Sequence, residues 1–252
     1  MKAISIIVAA LLAVSLSAQA RTIELSSKNS VTFRGEVDDN SAAEVQIQLI
    51  NLVAKRGTDA YPIYLVLDSP GGSIDAGLNF IEFTKTIPNL ETVTLFAASM
   101  ASAIVEQLPG KRLITENGIL MFHRAKGGLQ GQFEDGELES RLALYKTMVR
   151  CMEQKAATRM NMSLATYKSA VKDELWILGS ESVSKKAADE VVNVTCSLEL
   201  VNKPVVEIIN FLGMSFKVEY NGCPLIKSVK LASAENRKAY QQYRSEINWR
   251  LR

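Results

Sequence analysis

Histidine and cysteine are both scarce in this sequence. Among its 252 residues His123 is the only histidine, and there are three cysteines. Zinc is held in proteins by clusters of cysteine and histidine at characteristic spacings, and the sequence contains no such cluster. We therefore expect no metal and no cofactor. Because histidine is the side chain best suited to proton transfer near neutral pH, His123 is the one candidate for a histidine general base.

A marked excess of one charge is also absent. The chain has 29 lysines and arginines against 27 acidic residues, a formal net charge of +2. A protein that binds nucleic acid through a basic surface needs a larger positive excess, so no nucleic-acid partner is expected. No internal repeat or low-complexity tract is evident. The hydrophobic share of 47% is typical of an ordinary globular protein.

The apolar stretch near the N-terminus, residues 4–16, is short for a stable membrane span. Lys2 precedes it, and the small-x-small pattern Ala18-Gln19-Ala20 follows it, as in a cleaved export signal. Residues 1–20 are therefore predicted to be a signal peptide, with the mature chain beginning at Arg21 and exported to the periplasm or secreted. The alternative is an uncleaved signal that anchors the protein in the membrane.

Export would place the cysteines in an oxidising compartment, where thiols can pair. Cys196 and Cys223 lie toward the C-terminus in strand-like or turn sequence, which favours a disulfide between them. Three cysteines allow three pairings, so the sequence leaves the alternatives open. Cys151 lies in a helical pattern and is predicted to remain a buried thiol.

Hydrophobic patterning predicts strands and helices in alternation, with a sharp turn at residues 68–73. Predicted helices cover residues 42–55, 74–86, 100–107, 132–159, 163–170 and 180–188. Short β pieces over 22–37 are followed by predicted strands at residues 63–67, 92–96, 113–114, 119–122 and 190–194. This order indicates an α/β fold with mostly parallel strands over residues 21–197.

Residues 198–252 differ in character and are predicted to be a C-terminal extension. Asn221-Gly222 lies between strand-like arms and predicts a tight hairpin turn. Residues 234–252 are polar and basic and are interpreted as a solvated helix or a disordered tail.

Ser99 is the strongest candidate nucleophile, because it lies between a predicted strand and a predicted helix. Backbone N–H groups at such a helix start can face an oxygen that becomes negative. Gly71 and Gly72 follow the strand over residues 63–67, and glycine lets the backbone come close to a bound carbonyl. The amides of Gly72 and Met100 are thus candidates for an oxyanion hole.

These segments belong to a longer series of motifs. In chain order they are Asp68-Ser69-Pro70-Gly71-Gly72 with Ala76-Gly77, Ala97-Ala98-Ser99-Met100-Ala101, Gly110-Lys111-Arg112, and Met121-Phe122-His123 with the glycine-rich residues 127–132. Over about residues 30–195 this series resembles the proteolytic subunit of the Clp protease family. The resemblance implies a ClpP/crotonase-like fold of repeated β-β-α units, with residues 132–159 as a projecting handle helix.

The resemblance also implies a serine endopeptidase with a Ser-His-Asp type of triad. Ser99 would be the nucleophile and His123 the general base. Backbone groups at Gly71, Gly72 and Met100 would form the oxyanion hole. Residues Gly127, Gly128 and Leu129 would pair with an extended peptide substrate.

The third triad member is left between two adjacent carboxylates. The family places an aspartate two residues before an aromatic residue, here Trp176. A gapless register puts Glu174 at that place, whereas the residue type favours Asp173. Because neighbouring residues on a strand point to opposite faces, only one of the two is expected to reach His123.

Partners and competing functions follow from the same resemblance. Family members assemble into heptameric rings that stack in pairs, so a homo-oligomeric ring is expected. The export signal argues against an ATP-driven unfoldase partner, which leaves peptides or unfolded polypeptides as substrates. Two alternatives are a relative of signal peptide peptidase A with a Ser-Lys dyad, and a catalytically silent binding or scaffold protein of the same fold.

Overall fold

The computed structural model describes residues 20–57, 61–127, 133–134, 136–211, 214–227 and 229–231. The strands are β1 (Arg21–Leu25), β2 (Ser30–Val37), β3 (Ile63–Gly72), β4 (Leu90–Ala98), β5 (Arg112–Phe122), β6 (Leu175–Leu178), β7 (Glu190–Cys196), β8 (Pro204–Phe211), β9 (Met214–Asn221) and β10 (Val229–Leu231). The helices are α1 (Asp39–Arg56), α2 (Ile74–Thr84), α3 (Met100–Gln107), α4 (Glu137–Arg159), α5 (Leu164–Ala170), α6 (Ser180–Ser184) and α7 (Leu198–Val201).

The main sheet has seven strands in the order β1-β7-β5-β4-β3-β2, with β6 added beside β5. All its pairings are parallel except that of β5 with β6. Parallel strands need crossover connections, and α1, α2 and α3 provide them between β2, β3, β4 and β5. The predicted α/β fold with mostly parallel strands is confirmed.

The middle strands of the sheet are buried on both faces, and β3 shows this most clearly. Ile63, Leu65 and Leu67 pack in the apolar core that includes α1, α2 and α3, whereas Tyr64 and Val66 pack in a second apolar cluster with β1, β7 and α7. Alternate residues of a strand point to opposite faces, so an uninterrupted apolar run is what a strand covered on both sides requires.

Irregularities in register occur at one level across the sheet, near the ends of the strands. The β2–β3 register shifts between Arg34 and Glu36, the β3–β4 register at Leu67/Asp68, and the β4–β5 register between Thr94 and Phe96. Bulges twist strands and redirect the side chains that follow them. They lie just before the segments that carry Gly71, Ser99 and His123.

Several predicted boundaries differ from the observed ones. The two predicted strands at 113–114 and 119–122 form the single strand β5, whose register to β4 skips residues 115–118. Helix α4 begins at Glu137, after Gly136 in the left-handed conformation (φ 79°), and α6 ends at Ser184. Lys186 has a φ of 60°, which a helix cannot accommodate, so residues 185–188 turn away from α6.

The predicted disulfide is confirmed, since Cys196 and Cys223 are bonded with a Cα–Cα distance of 5.9 Å. The prediction that Cys151 is buried is wrong, because its side chain is exposed. Helix α4 extends away from the core, and only Ala156 and Ala157 of its 23 residues are buried. Leu138, Leu142 and Leu144 of α4 are exposed, so these apolar side chains do not form a buried face within this chain.

The second sheet is small and antiparallel, in the order β10-β9-β8. The predicted tight turn at Asn221-Gly222 is wrong, because Tyr220 pairs with Val229 and the connection between β9 and β10 is longer. Gly222 N–H donates to the Lys203 carbonyl at 2.8 Å, and the next residue is held in the disulfide. These two attachments direct the chain away from a two-residue turn.

Two predicted segments fall outside the part of the chain that the structure describes. They are the signal peptide, of which only Ala20 is described, and the helix or tail over residues 234–252. Within the described residues, no helix combines the length and the apolar character that crossing a membrane requires.

Candidate active site

Ser99 occupies a sharp turn from strand β4 to helix α3. Its backbone has φ 55° and ψ −118°, a conformation that residues other than glycine rarely adopt. The Ser99 N–H donates to the Met121 carbonyl at 2.9 Å, which attaches the turn to β5. A nucleophile on such a strained strand-to-helix turn is presented at the end of the sheet instead of inside it.

Ser102 supports this turn, and the sequence reasoning did not single it out. Its hydroxyl lies 2.7 Å from the Ser99 carbonyl and 2.8 Å from the Met121 carbonyl, and the residue is buried. Serine hydroxyls in the first turn of a helix often bond to backbone three or four residues away. That spacing from Ser99 is the signal that could have identified Ser102.

His123 contacts Ser99 directly. Its Nε2 atom lies 2.7 Å from Ser99 Oγ, although the two residues are 24 positions apart in the chain. The β4–β5 pairing explains the contact, because Ala98 lies opposite Met121 and both strands run in the same direction. The residues that follow the two strand ends therefore meet at one edge of the sheet.

The surroundings of His123 favour the neutral imidazole. Burial lowers its pKa below the usual value of 6.5, and the charge of Lys126 lowers it further, while Glu174 and the Arg124 backbone raise it. A neutral imidazole with Nε2 facing a hydroxyl can accept the hydroxyl proton. At pH 7 this histidine is thus ready to act as a base.

The two candidate acids differ in their position relative to His123. In the antiparallel β5–β6 pairing, Phe122 lies opposite Leu175, and His123 and Glu174 are the residues that adjoin this pair. Glu174, and not Asp173, is among the groups that act on the pKa of the imidazole. The structure therefore brings Glu174 near the imidazole, and both acids are exposed.

The Glu174 carboxylate does not bond to the imidazole in this arrangement. It accepts a hydrogen bond from Trp176 Nε1 at 3.0 Å, and Lys126 Nζ lies 4.0 Å from its other oxygen. Within the described residues, His123 Nδ1 is buried and makes no hydrogen bond. His123 is therefore within hydrogen-bond distance of the Ser99 hydroxyl, but no described carboxylate is hydrogen-bonded to its Nδ1 atom.

Gly71 lies directly against the nucleophile turn. A Cβ at this position would be 2.6 Å from the Met100 amide nitrogen and 2.8 Å from Ser99 Cβ, and its φ is 90°. Only glycine satisfies both the backbone angle and this approach. Its N–H donates to Ser69 Oγ at 3.1 Å, and Gly72 pairs with Val37 of β2.

Of the predicted substrate-binding residues, only Gly127 is described. A Cβ at Gly127 would lie 2.7 Å from the Tyr145 hydroxyl of α4, so the segment after His123 runs close to that helix. Gly128 and Leu129 lie outside the described residues. Among the described residues, no group of three or more His, Cys, Asp or Glu could hold a metal ion.

A comparison with protein-family models gives a match to Clp protease over residues 15–195. The chain belongs to the Clp protease family. The family's fold is the ClpP/crotonase-like α/β fold, in agreement with the mostly parallel sheet described above. Its members are peptidases, and therefore hydrolases; they typically form oligomeric rings and act on peptide substrates.

Proposed function

We propose that this member of the Clp protease family is a serine endopeptidase that cleaves peptides or unfolded polypeptides. The observation that carries the proposal is the 2.7 Å contact between His123 Nε2 and Ser99 Oγ at a strained turn. A hydroxyl is a weak nucleophile until a positioned base takes its proton. The lowered pKa of His123 keeps the imidazole available for that step.

The reaction follows from these positions. His123 accepts the Ser99 proton while Oγ forms a bond to the carbonyl carbon of the scissile peptide. The backbone amides at Met100 and Gly72, beside Gly71, stabilise the negative oxygen. The imidazolium then gives its proton to the departing amine as the C–N bond breaks. A water molecule, deprotonated by His123, hydrolyses the acyl-enzyme and releases the acid and the free hydroxyl.

Glu174 is the proposed third member of the triad. Its position beside the residue that pairs with Phe122 supports this role, and its negative charge favours the imidazolium that forms during the reaction. To orient the imidazole, the Glu174 carboxylate gives up its hydrogen bond from the Trp176 N–H and accepts one from the Nδ1–H of His123. A Ser-Lys mechanism would instead need a neutral lysine amine at the place where Nε2 contacts Ser99.

Hydrolysis of an unfolded protein such as casein tests the proposal. We expect cleavage by the purified chain and its loss, by at least about 10³-fold, in Ser99→Ala and in His123→Ala. Ser184→Ala, which truncates an exposed serine on α6, serves as the matched control and retains full activity. Equal activity in Ser99→Ala and the unmodified chain would refute the proposal.

A homo-oligomeric ring is the proposed assembly. Leu138, Leu142 and Leu144 of α4 are 46%, 39% and 62% exposed. Apolar side chains of this size gain free energy when a partner covers them, and a second copy of the handle helix offers the same surface. Native mass spectrometry of the purified protein tests this, with a ring of about seven copies, or twice that number, expected. A monomer would contradict it.

Export is the proposed location. The disulfide between Cys196 and Cys223 supports it, because such bonds persist in oxidising compartments. N-terminal sequencing of protein from the periplasmic or secreted fraction is expected to begin at Arg21. A chain that retains residues 1–20 in the membrane fraction would support the anchored alternative.

A further inference from the structure

The described residues 198–211 and 214–227 follow the main sheet and are here called the C-terminal module. Leu200 packs in the apolar cluster that contains Tyr64 and Val66 of β3. The Cys196–Cys223 disulfide binds the module covalently to the end of β7. The module therefore covers the face of the sheet opposite helices α1, α2 and α3.

The module also makes polar contacts with the active-site end of that face. Lys227 forms an ion pair with Asp68, the next residue after Tyr64 and Val66 on the same side of β3. Arg34 of β2 lies 4.0 Å from the same carboxylate and stacks over the buried Tyr220 ring, 4.8 Å from its centroid. Two basic side chains thus meet one buried carboxylate.

Asp68 lies close to the turn that carries Ser99, so a displacement of Asp68 would also displace that turn. Its side chain is only 8% exposed, and a carboxylate that is so buried needs compensating charge. The β3–β4 register shifts at this residue. The next residue, Ser69, accepts the Gly71 N–H, and Gly71 lies against Ser99.

We propose that the C-terminal module positions the Ser69–Gly72 segment of the active site through the ion pair between Lys227 and Asp68, a role that rests on the peptidase function proposed above. Among the described contacts, Lys227 bonds to Asp68 and not to Ser99 or His123, so it is a positioning residue. Its ion pair with Asp68 fixes the end of β3 in the position where Gly71 contacts the turn that carries Ser99. The module is thereby part of the functional unit, beyond the portion that matches the family.

Hydrogen–deuterium exchange of the oligomer, read in peptides that cover residues 68–72, tests the positioning independently of activity. Lys227→Met is expected to raise the exchange rate there by about tenfold, because local opening becomes easier. Lys227→Arg retains the positive charge and is expected to restore the original rate. The matched control is Lys85→Met: Lys85 has the same 51% exposure as Lys227, but its ion-pair partner Glu82 is itself exposed.

Peptide hydrolysis by the same variants tests the consequence for catalysis. Lys227→Met is expected to lower kcat by about 10- to 100-fold, with KM changed less than about threefold, and Lys227→Arg to recover kcat. Unchanged exchange over residues 68–72 in Lys227→Met would overturn the proposal, as would faster exchange with unchanged kcat. If the unmodified chain hydrolyses nothing, the peptidase function fails, while the exchange measurement still decides whether Lys227 holds this segment.

Discussion

His123 Nε2 lies 2.7 Å from Ser99 Oγ because two parallel neighbouring strands, β4 and β5, end at the same edge of the sheet. The contact depends on backbone register more than on any interaction between the two side chains. Two donors, the Ser99 N–H and the Ser102 hydroxyl, lie against the Met121 carbonyl, and the same hydroxyl is 2.7 Å from the Ser99 carbonyl. The nucleophile and its base are thus preorganised by the fold.

The first prediction concerns the pH dependence of hydrolysis. The base must be neutral in the free enzyme, so kcat/KM is lost as pH falls through the pKa of His123, which lies below 6.5. Lys126 lowers that pKa, so Lys126→Met moves the acid limb of the profile to higher pH. Lys55→Met, in the last turn of α1, leaves the limb in place. A shift to lower pH in Lys126→Met would contradict the assignment of His123 as the base.

The second prediction separates the two adjacent acids. Glu174→Gln keeps the size of the side chain and removes the negative charge that acts on His123, and we expect a loss of about 10²- to 10⁴-fold in kcat/KM. Asp173→Asn is the matched control and leaves kcat/KM within about twofold. The comparison is steady-state hydrolysis of one peptide by both variants. A larger loss in Asp173→Asn would transfer the role to the aspartate.

The third prediction separates two effects of a glycine-to-alanine substitution: backbone strain, and a steric clash of the added Cβ with the turn that carries Ser99. Gly71 and Gly35 have φ values of 90° and 79°, so alanine strains both positions. A Cβ at Gly71 meets Ala98 O at 2.5 Å, whereas one at Gly35 meets nothing within 4 Å. Gly71→Ala is expected to lower kcat/KM by more than about 100-fold, and Gly35→Ala to lose about 1–2 kcal/mol of stability with little change in kcat/KM. Equal kinetic losses would show that strain alone is responsible.

The fourth prediction concerns the disulfide, which closes a loop with a sequence separation of 27. On the chain-entropy account, such a link contributes about 3–4 kcal/mol to the free energy of unfolding. Cys196→Ala/Cys223→Ala is expected to lose that amount in denaturant unfolding, whereas Cys151→Ser, at an exposed free thiol, changes stability by less than about 0.5 kcal/mol. Equal free energies of unfolding in the two variants would show that the disulfide does not stabilise the protein.

Local signals predicted much of the main fold. Helix α3 spans Met100–Gln107 as expected from its pattern, and α1 (Asp39–Arg56) includes the whole of the helix predicted over 42–55. The continuous apolar run that starts at Ile63 indicated a strand covered on both faces, and β3 is such a strand. These features depend on short segments of sequence, where propensity and patterning act directly.

Features that depend on distant contacts were not predictable in the same way. The exposure of Cys151 follows from how far α4 extends from the core, and a helical pattern carries no information on that. The connection after Asn221 is set by the disulfide and by the Lys203 carbonyl. The effect of Glu174 on the imidazole depends on the β5–β6 pairing, which brings Leu175 opposite Phe122. The ion pair of Lys227 with Asp68 joins positions 159 residues apart.

The measurement that tests the central claim most directly is labelling with a fluorophosphonate probe, followed by intact-protein mass spectrometry. The probe reacts with a serine only when a base activates it, so it reads the Ser99–His123 contact without a known substrate. We predict one probe per chain in the unmodified protein and none in Ser99→Ala or His123→Ala. Labelling that persists in His123→Ala would contradict the account and require a different base, and no labelling of the folded, assembled protein would favour a silent scaffold.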